Sequence, residues 1–291
     1  MPGAQKFHFI SGLPRSGSTL LAGILRQNPR FHAAMSSPVA ALMQSCLEQT
    51  GANSEFYSFF DTERRKAICK ALFNAYYHDK NRYEVIFDTN RHWTARLHQL
   101  VELFDDFKMI CCVRNAAWIM DSFERIFRKN PFDYSRMFTS ANRLTVYTRC
   151  EPMMSAGGTV GSAWTALKEA YYGEFSEKLL LVDYDLLTQY PQRTLQLVYK
   201  FLDEPAFEHD FDNVEYEEGE FDQALGVKDL HTVKRKVEFK PRRTLLPPEL
   251  FQKYSEMDFW RDSAGTAASY IGNKTTSKAT TATPIDQGQA T

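Results

Sequence analysis

Residues 6 to 27 read KFHFISGLPRSGSTLLAGILRQ, and no other stretch restricts the fold as strongly. An apolar run ends at Gly12, and a short loop carries a second glycine at Gly17. Leu20, Leu21, Ile24 and Leu25 then recur at helical spacing until a stop near Asn28–Pro29. Strand, glycine loop and helix in that order form the setting in which a loop holds an anion. Gly12 and Gly17 permit turns that bring backbone amides close to a ligand, and the helix adds its unpaired N–H groups and its dipole. Ser16, Ser18 and Thr19 offer hydroxyls, and Arg15 offers a cation able to grip two oxygens at once. The competing reading is a glycine turn in which "SGST" caps the helix; the preceding strand and Arg15 favour the anion cradle. A nucleoside triphosphatase places lysine directly after the second glycine, and this chain has Ser18 there.

The remaining pattern alternates. "YEVIFD", ending at Asp88, "FKMICCV", ending before Arg114, and "KLLLVDY" read as further strands. "PVAALMQSCLEQ", "TERRKAICKALFNAYYH", a stretch from Trp93 to Phe104, "AAWIMDSFERIFRK" and "PQRTLQLVYKFLD" read as helices, and helical character is expected to continue from Arg125 to Arg149. The expected fold is therefore α/β, a parallel β-sheet flanked by helices, of the P-loop nucleotide-binding type. One catalytic domain is expected over residues 1–262. Residues 263–291 are rich in small polar residues and are expected to form a disordered tail.

A net charge of -1 over 291 residues gives no basic footprint for nucleic acid or for an anionic membrane. The cysteines number five with no C-x-x-C pair, and Cys111 and Cys112 sit in an apolar run as packed thiols. No apolar segment is long enough to span a bilayer and the N-terminus has no signal-peptide character, so the cytoplasm is the expected location and no metal is expected.

Arg114 stands at the carboxyl end of a strand, where open α/β sheets bind ligands. Ser122 follows eight residues later, two helical turns on and on the same side. With the first loop, the pair marks a second phosphate site.

"GLPRSGSTLL" followed by the arginine–serine pair resembles the sulfotransferase family that uses 3′-phosphoadenosine 5′-phosphosulfate (PAPS). The "PRSGST" form is nearer the tyrosylprotein and carbohydrate types than the cytosolic type, which has lysine where Arg15 stands. The resemblance implies that Pro14, Arg15, Ser16, Gly17, Ser18 and Thr19 hold the 5′-phosphosulfate and that Arg114 and Ser122 hold the 3′-phosphate. "VDYDLL" matches the family's later strand and helix and brings Tyr184 to the cofactor. "HTVKRK", with Lys234 and Arg235, lies where the family closes a segment over it. PAPS would be the co-substrate, and the acceptor a hydroxyl on a peptide, a saccharide or a small molecule.

Two departures bear on catalysis. The region after the first helix, "FHAAMSSPVA", lacks the glutamate that serves the tyrosylprotein enzymes as base, and Asp88 stands about where the family has lysine. Asp88 or His92 is the expected base, with His32 a weaker candidate, and Arg91, with Arg15, is expected to steady charge at the leaving group. Asp88 as a helix cap and His92 as an ordinary helix-start residue are the competing readings. An apolar strand ending in aspartate also keeps open a P-loop kinase with a degenerate loop, against which Ser18 counts. A non-catalytic nucleotide-binding module is the third reading.

Overall fold

The computed structural model describes residues 5–129, 131–132, 142–215 and 235–273. Six strands form one sheet: β1 (Lys6–Gly12), β2 (Phe31–Ala33), β3 (Val85–Thr89), β4 (Met109–Val113), β5 (Leu179–Asp183) and β6 (Ser269–Ile271). Their order is β2-β3-β1-β4-β5-β6, and every pairing is parallel. Every residue of β3, β4 and β5 is buried, as a parallel sheet covered on both faces requires.

Ten helices are named here. The face of the sheet bearing Phe9, Met109 and Leu181 is covered by α2 (Val39–Thr50), α3 (Thr62–Tyr76), α4 (Leu97–Leu103), α5 (Ala116–Lys129), α6 (Val146–Met154), α7 (Gly161–Tyr172) and α10 (Pro248–Ser255). The face bearing Ile10, Ile110 and Val182 is covered by α1 (Ser18–Leu25), α8 (Tyr184–Gln189) and α9 (Pro191–Leu202), with Val214 and Val237 from the connection beyond. The first core is unusually aromatic. Phe9 meets Phe73, Trp93, Phe104 and Phe107 edge-on at centroid distances of 5.2 to 6.0 Å, the arrangement that the ring quadrupole favours. Because β1 lies between β3 and β4, the strand order reverses at its carboxyl end. That reversal opens the crevice where such sheets take ligands, and Gly12 stands in it.

Three features depart from the pattern in the sequence. The strand β2 is three residues long, too short to show a period. Helical structure does not run from Arg125 to Arg149: α5 stops at Lys129, α6 starts at Val146 under a capping box from Thr145, and residues 133–141 lie outside the described residues. The expectation of a tail from residue 263 is corrected for residues 263–273. Residues 263–273 pack on the domain and place β6 beside β5, with Leu180, Leu181 and Val182 opposite Ser269, Tyr270 and Ile271. Thr266 Oγ1 donates to the Tyr171 carbonyl, Ala267 N to Ser176 Oγ at 3.2 Å, and Tyr270 Oη to Asp183 at 3.4 Å. The edge of a parallel sheet offers a row of backbone partners to any neighbouring chain, and composition does not register that demand. The rest of the expected tail, 274–291, lies outside the described residues.

Two predictions follow from this packing. A chain ended at Asp262 loses β6 and exposes the β5 edge, whereas one ended at Asn273 keeps both. The shorter chain is expected to melt below the longer one in calorimetry, by about 2–4 °C for each kcal/mol that β6 contributes; equal melting would mean that β6 contributes nothing. The second concerns acid. Burial pushes the imidazoles of His8, His32 and His209 down to about 4, from an ordinary value of 6.5. As pH falls the unfolded chain takes up these protons first, so their contribution is complete above 6.5 and lost between 6.5 and about 4. The melting temperature is expected to fall through that window; a flat or rising profile would contradict it.

Candidate active site

The loop after β1 is pinned by strand β4. Gly12 has φ of 106°, and a Cβ there would lie 2.2 Å from the Cys112 carbonyl oxygen. That carbonyl accepts from Leu13 N at 2.9 Å and from Ser16 Oγ at 2.8 Å. Arg15 adopts the left-handed conformation at φ of 59°, a strain of about 1–2 kcal/mol, and half-buried Pro14 precedes it. Gly17 is the N-cap of α1 with φ of 94°, and no side chain caps the helix. The capping reading of "SGST" therefore fails, and the first N–H groups of α1 have no side-chain acceptor. Ser18 and Thr19 are half-buried at the helix start. Ser16 corrects the sequence reading: its hydroxyl is buried against the Leu13 and Cys112 carbonyls, so it braces the loop and only its backbone remains for a ligand.

The second element meets the first. Arg15 Nε donates to Ser122 Oγ at 3.2 Å, joining the loop to α5. Arg114, directly after β4, lays its guanidinium carbon 4.1 Å from the centroid of the Tyr184 ring. Stacking engages the face of the guanidinium and leaves its in-plane donors directed elsewhere. Arg114 Nε is buried with no hydrogen-bond partner among the described residues. Tyr184 also closes on the loop, since a Cβ at Gly17 would stand 2.7 Å from its Cδ2. The sequence-derived residues Arg15, Gly17, Arg114, Ser122 and Tyr184 thus come together.

Arg235 does not join them. It pairs with Glu215 at 2.7 Å, both side chains largely in water, on the connection that packs against the opposite core; Lys234 lies outside the described residues. The cation that arrives instead is Arg242. It pairs with the fully buried Asp121 at 2.8 Å, and Asp121 also accepts from Arg125 Nε at 2.9 Å and Leu245 N at 2.7 Å. Burial lowers the Arg242 guanidinium; Asp121 opposes this, and the nearby positive charges of Arg114 and Arg125 add to the lowering. The run "KPRR" was visible in sequence, but nothing in it indicated that a carboxylate over a hundred residues away would select its third residue.

The carboxyl end of β3 is organised by Asp88. This residue is fully buried and accepts from Ser37 Oγ at 2.7 and 2.8 Å, from Tyr77 Oη at 2.9 Å and from Trp93 Nε1 at 2.8 Å. Burial raises its carboxyl to about 6, with the three donors pulling it back. With both oxygens occupied and no surface, Asp88 neither reaches an acceptor hydroxyl nor caps a helix. The sequence reading of it as base is corrected on that ground, as is the capping alternative. Asn90 makes the local turn instead, accepting from His92 N at 3.0 Å. Arg91 is exposed, its carbonyl accepting from Ser11 Oγ at the end of β1 at 3.1 Å, and His92 beside it is exposed too. Partial desolvation of the ring lowers the His92 imidazole below its ordinary 6.5, and the charges of Arg91 and Arg96 lower it further. His32 stands on β2 against Tyr77 and Tyr83, away from the loop. Among the described residues no group of three His, Cys, Asp or Glu side chains is placed to hold a metal ion.

The sequence model described as the sulfotransferase family matches residues 8–209, a span that contains the loop, Arg114, Ser122 and Tyr184. No curated protein matches the chain by sequence. Among solved structures, a sulfotransferase domain from the curacin biosynthetic pathway superposes with a TM-score of 0.55 at 17% identity, covering 86% of this chain and 96% of that one. A sulfotransferase domain from the Synechococcus PCC 7002 olefin synthase gives 0.45 at 17% identity over 88% and 96% of the two chains. A sulfotransferase from Alicyclobacillus acidocaldarius gives 0.46 at 14% identity over 77% and 90%. With more than half of its length matched by the family's sequence model, the chain belongs to the sulfotransferase family.

Proposed function

We propose that this protein moves a sulfuryl group from PAPS to a hydroxyl on a peptide, saccharide or small-molecule acceptor. The observation that carries the reading is the junction of two anion sites through Arg15 and Ser122. One is a glycine loop opening an uncapped helix, and the other a stacked arginine with an unpartnered buried Nε. A nucleotide with phosphate at both its 3′ and 5′ positions fits that pair. In this reading the N–H groups at the start of α1, with Ser18, Thr19 and Arg15, bind the 5′-phosphosulfate, and Arg114, Ser122 and Arg242 bind the 3′-phosphate. The Tyr184 ring borders both.

The acceptor oxygen forms a bond to sulfur while the bond between sulfur and the phosphate oxygen breaks, and 3′-phosphoadenosine 5′-phosphate (PAP) leaves. The acceptor proton goes to His92, which is exposed and neutral near pH 7, and Arg91 offsets the charge that develops on the leaving phosphate. Asp88 holds Ser37, Tyr77 and Trp93 in place beneath them. A kinase needs a cation reaching terminal phosphates from the position of Ser18, and that position holds a hydroxyl.

PAP at about 100 times its dissociation constant is expected to stabilise the protein by about 2.7 kcal/mol in a thermal-shift measurement, and ATP with Mg²⁺ much less. An ATP response as large as the PAP response would favour the kinase. Arg114→Ala is expected to weaken PAP by about 1.5–3 kcal/mol while leaving adenosine 5′-phosphosulfate, which has no 3′-phosphate, unchanged in calorimetric titration. Equal losses on both would make Arg114 structural.

His92→Gln is expected to slow turnover about 10²- to 10⁴-fold with PAP affinity intact. Because its imidazole is lowered in the folded protein, the acid limb of the wild-type rate profile should lie below 6.5 and disappear in the variant. Asp88→Asn sets an amide N–H against donors and should cost about 1–3 kcal/mol of stability. Near-normal turnover in His92→Gln would remove it as base.

A further inference from the structure

Arg91, His92 and Arg96 follow the end of β3 as a ridge of basic groups, and among the described residues no carboxylate pairs with any of them. Elsewhere the buried carboxylates of the protein are heavily engaged. Asp121 takes Arg125 and Arg242, and Glu124 takes Arg128 and Arg149. Arg96 by contrast donates only to neutral amides, Gln99 Oε1 at 3.3 Å and Gln44 Oε1 at 2.7 Å, and its Nε is buried without a partner. The nearest acid, Glu48, is one residue removed, accepting from Gln44 Nε2 at 2.5 Å. Desolvation lowers the guanidinium of Arg96, and the charge of Glu48 opposes that lowering. A partly desolvated cation whose nearby carboxylate, Glu48, is bonded to Gln44 rather than to it is incompletely neutralised, and an arriving anion would complete the neutralisation.

The position fits an acceptor. Arg91 is tied by its carbonyl to Ser11 at the end of β1, beside the loop, and Arg96 reaches Gln44 in the second turn of α2. The ridge therefore runs outward from where the sulfuryl group would sit. Resting on the sulfotransfer reading above, we infer that the acceptor carries a negatively charged group besides its hydroxyl, a carboxylate, phosphate or sulfate ester, which Arg96 holds while Arg91 faces the donor. Such a group would also offset the two arginine charges at His92 and make it a stronger base in the complex.

The test uses the full chain with PAPS and matched acceptors: 4-hydroxyphenylacetate against its methyl ester, glucuronate against glucose, and a tyrosine peptide flanked by Glu against the same peptide with Gln. Sulfate addition is read by mass. The charged member of at least one pair is expected to have kcat/KM higher by about tenfold to a hundredfold. Arg96→Gln should collapse that preference through KM with kcat nearly kept, and Arg96→Lys should restore part of it. Equal use of both members, preference for the neutral one, preference that survives Arg96→Gln, or transfer to no charged member overturns the inference. PAP thermal shift on each variant separates the two readings: a shift equal to wild type with no charge preference sinks only the anionic acceptor, while no shift in wild type sinks the sulfotransfer reading itself.

Discussion

The Cys112 carbonyl is the atom on which the donor side depends. It is already part of β4, yet it also accepts from Leu13 N and Ser16 Oγ, and it stands where any side chain at Gly12 would have to go. The loop can therefore leave β1 in only one direction, over the end of β4. Two residues beyond Cys112 the chain emerges as Arg114. The spacing between the two proposed anion sites is fixed by a backbone contact inside the sheet, and neither can shift without the other.

A comparable pin holds the acceptor side. Asp88 draws donors from the turn before α2, from the residue after α3 and from the turn after β3, three segments that share no backbone hydrogen bonds with one another except between Ser37 and Thr89. A carboxylate is suited to this because it accepts at several angles and donates at none. Burying it raises its carboxyl to about 6, while the three donors favour the ionised form and offset part of that rise. The same low-dielectric setting strengthens each of those bonds.

What was legible in the sequence was local. The loop, the strand end at Val113 and, within one residue, the strand end expected at Asp88 follow from short apolar runs and glycine placement, and the Arg114–Ser122 spacing from the 3.6 period of the helix between them. The strands β2 and β6 were not legible because three residues carry no period; each exists by pairing with a neighbour already in place. Side-chain direction was equally hidden. Ser16 lies in the cradle's sequence but turns its hydroxyl to the sheet, and Asp88 lies at a strand end but points into an aromatic core. Arg235 and Arg242 stand seven residues apart in one basic run, and only the buried Asp121 decides which of them approaches Arg114.

That selection follows a general electrostatic logic. Arg242 and Arg125 share one buried carboxylate, which fixes their positions but leaves the local sum of charges positive. Arg114 is held by an aromatic face, which fixes its plane without neutralising it. Arg96 is held by two neutral amides, with the same result. In each case the cation is immobilised by partners that leave charge available, so little side-chain entropy remains to be lost when an anion arrives. Surface pairs such as Arg235–Glu215, where full counter-charges meet in water, do the opposite: they satisfy the cation and contribute little else. A crevice whose cations are rigid, partly desolvated and incompletely neutralised suits anions at both ends, as the proposed donor and the proposed acceptor both require.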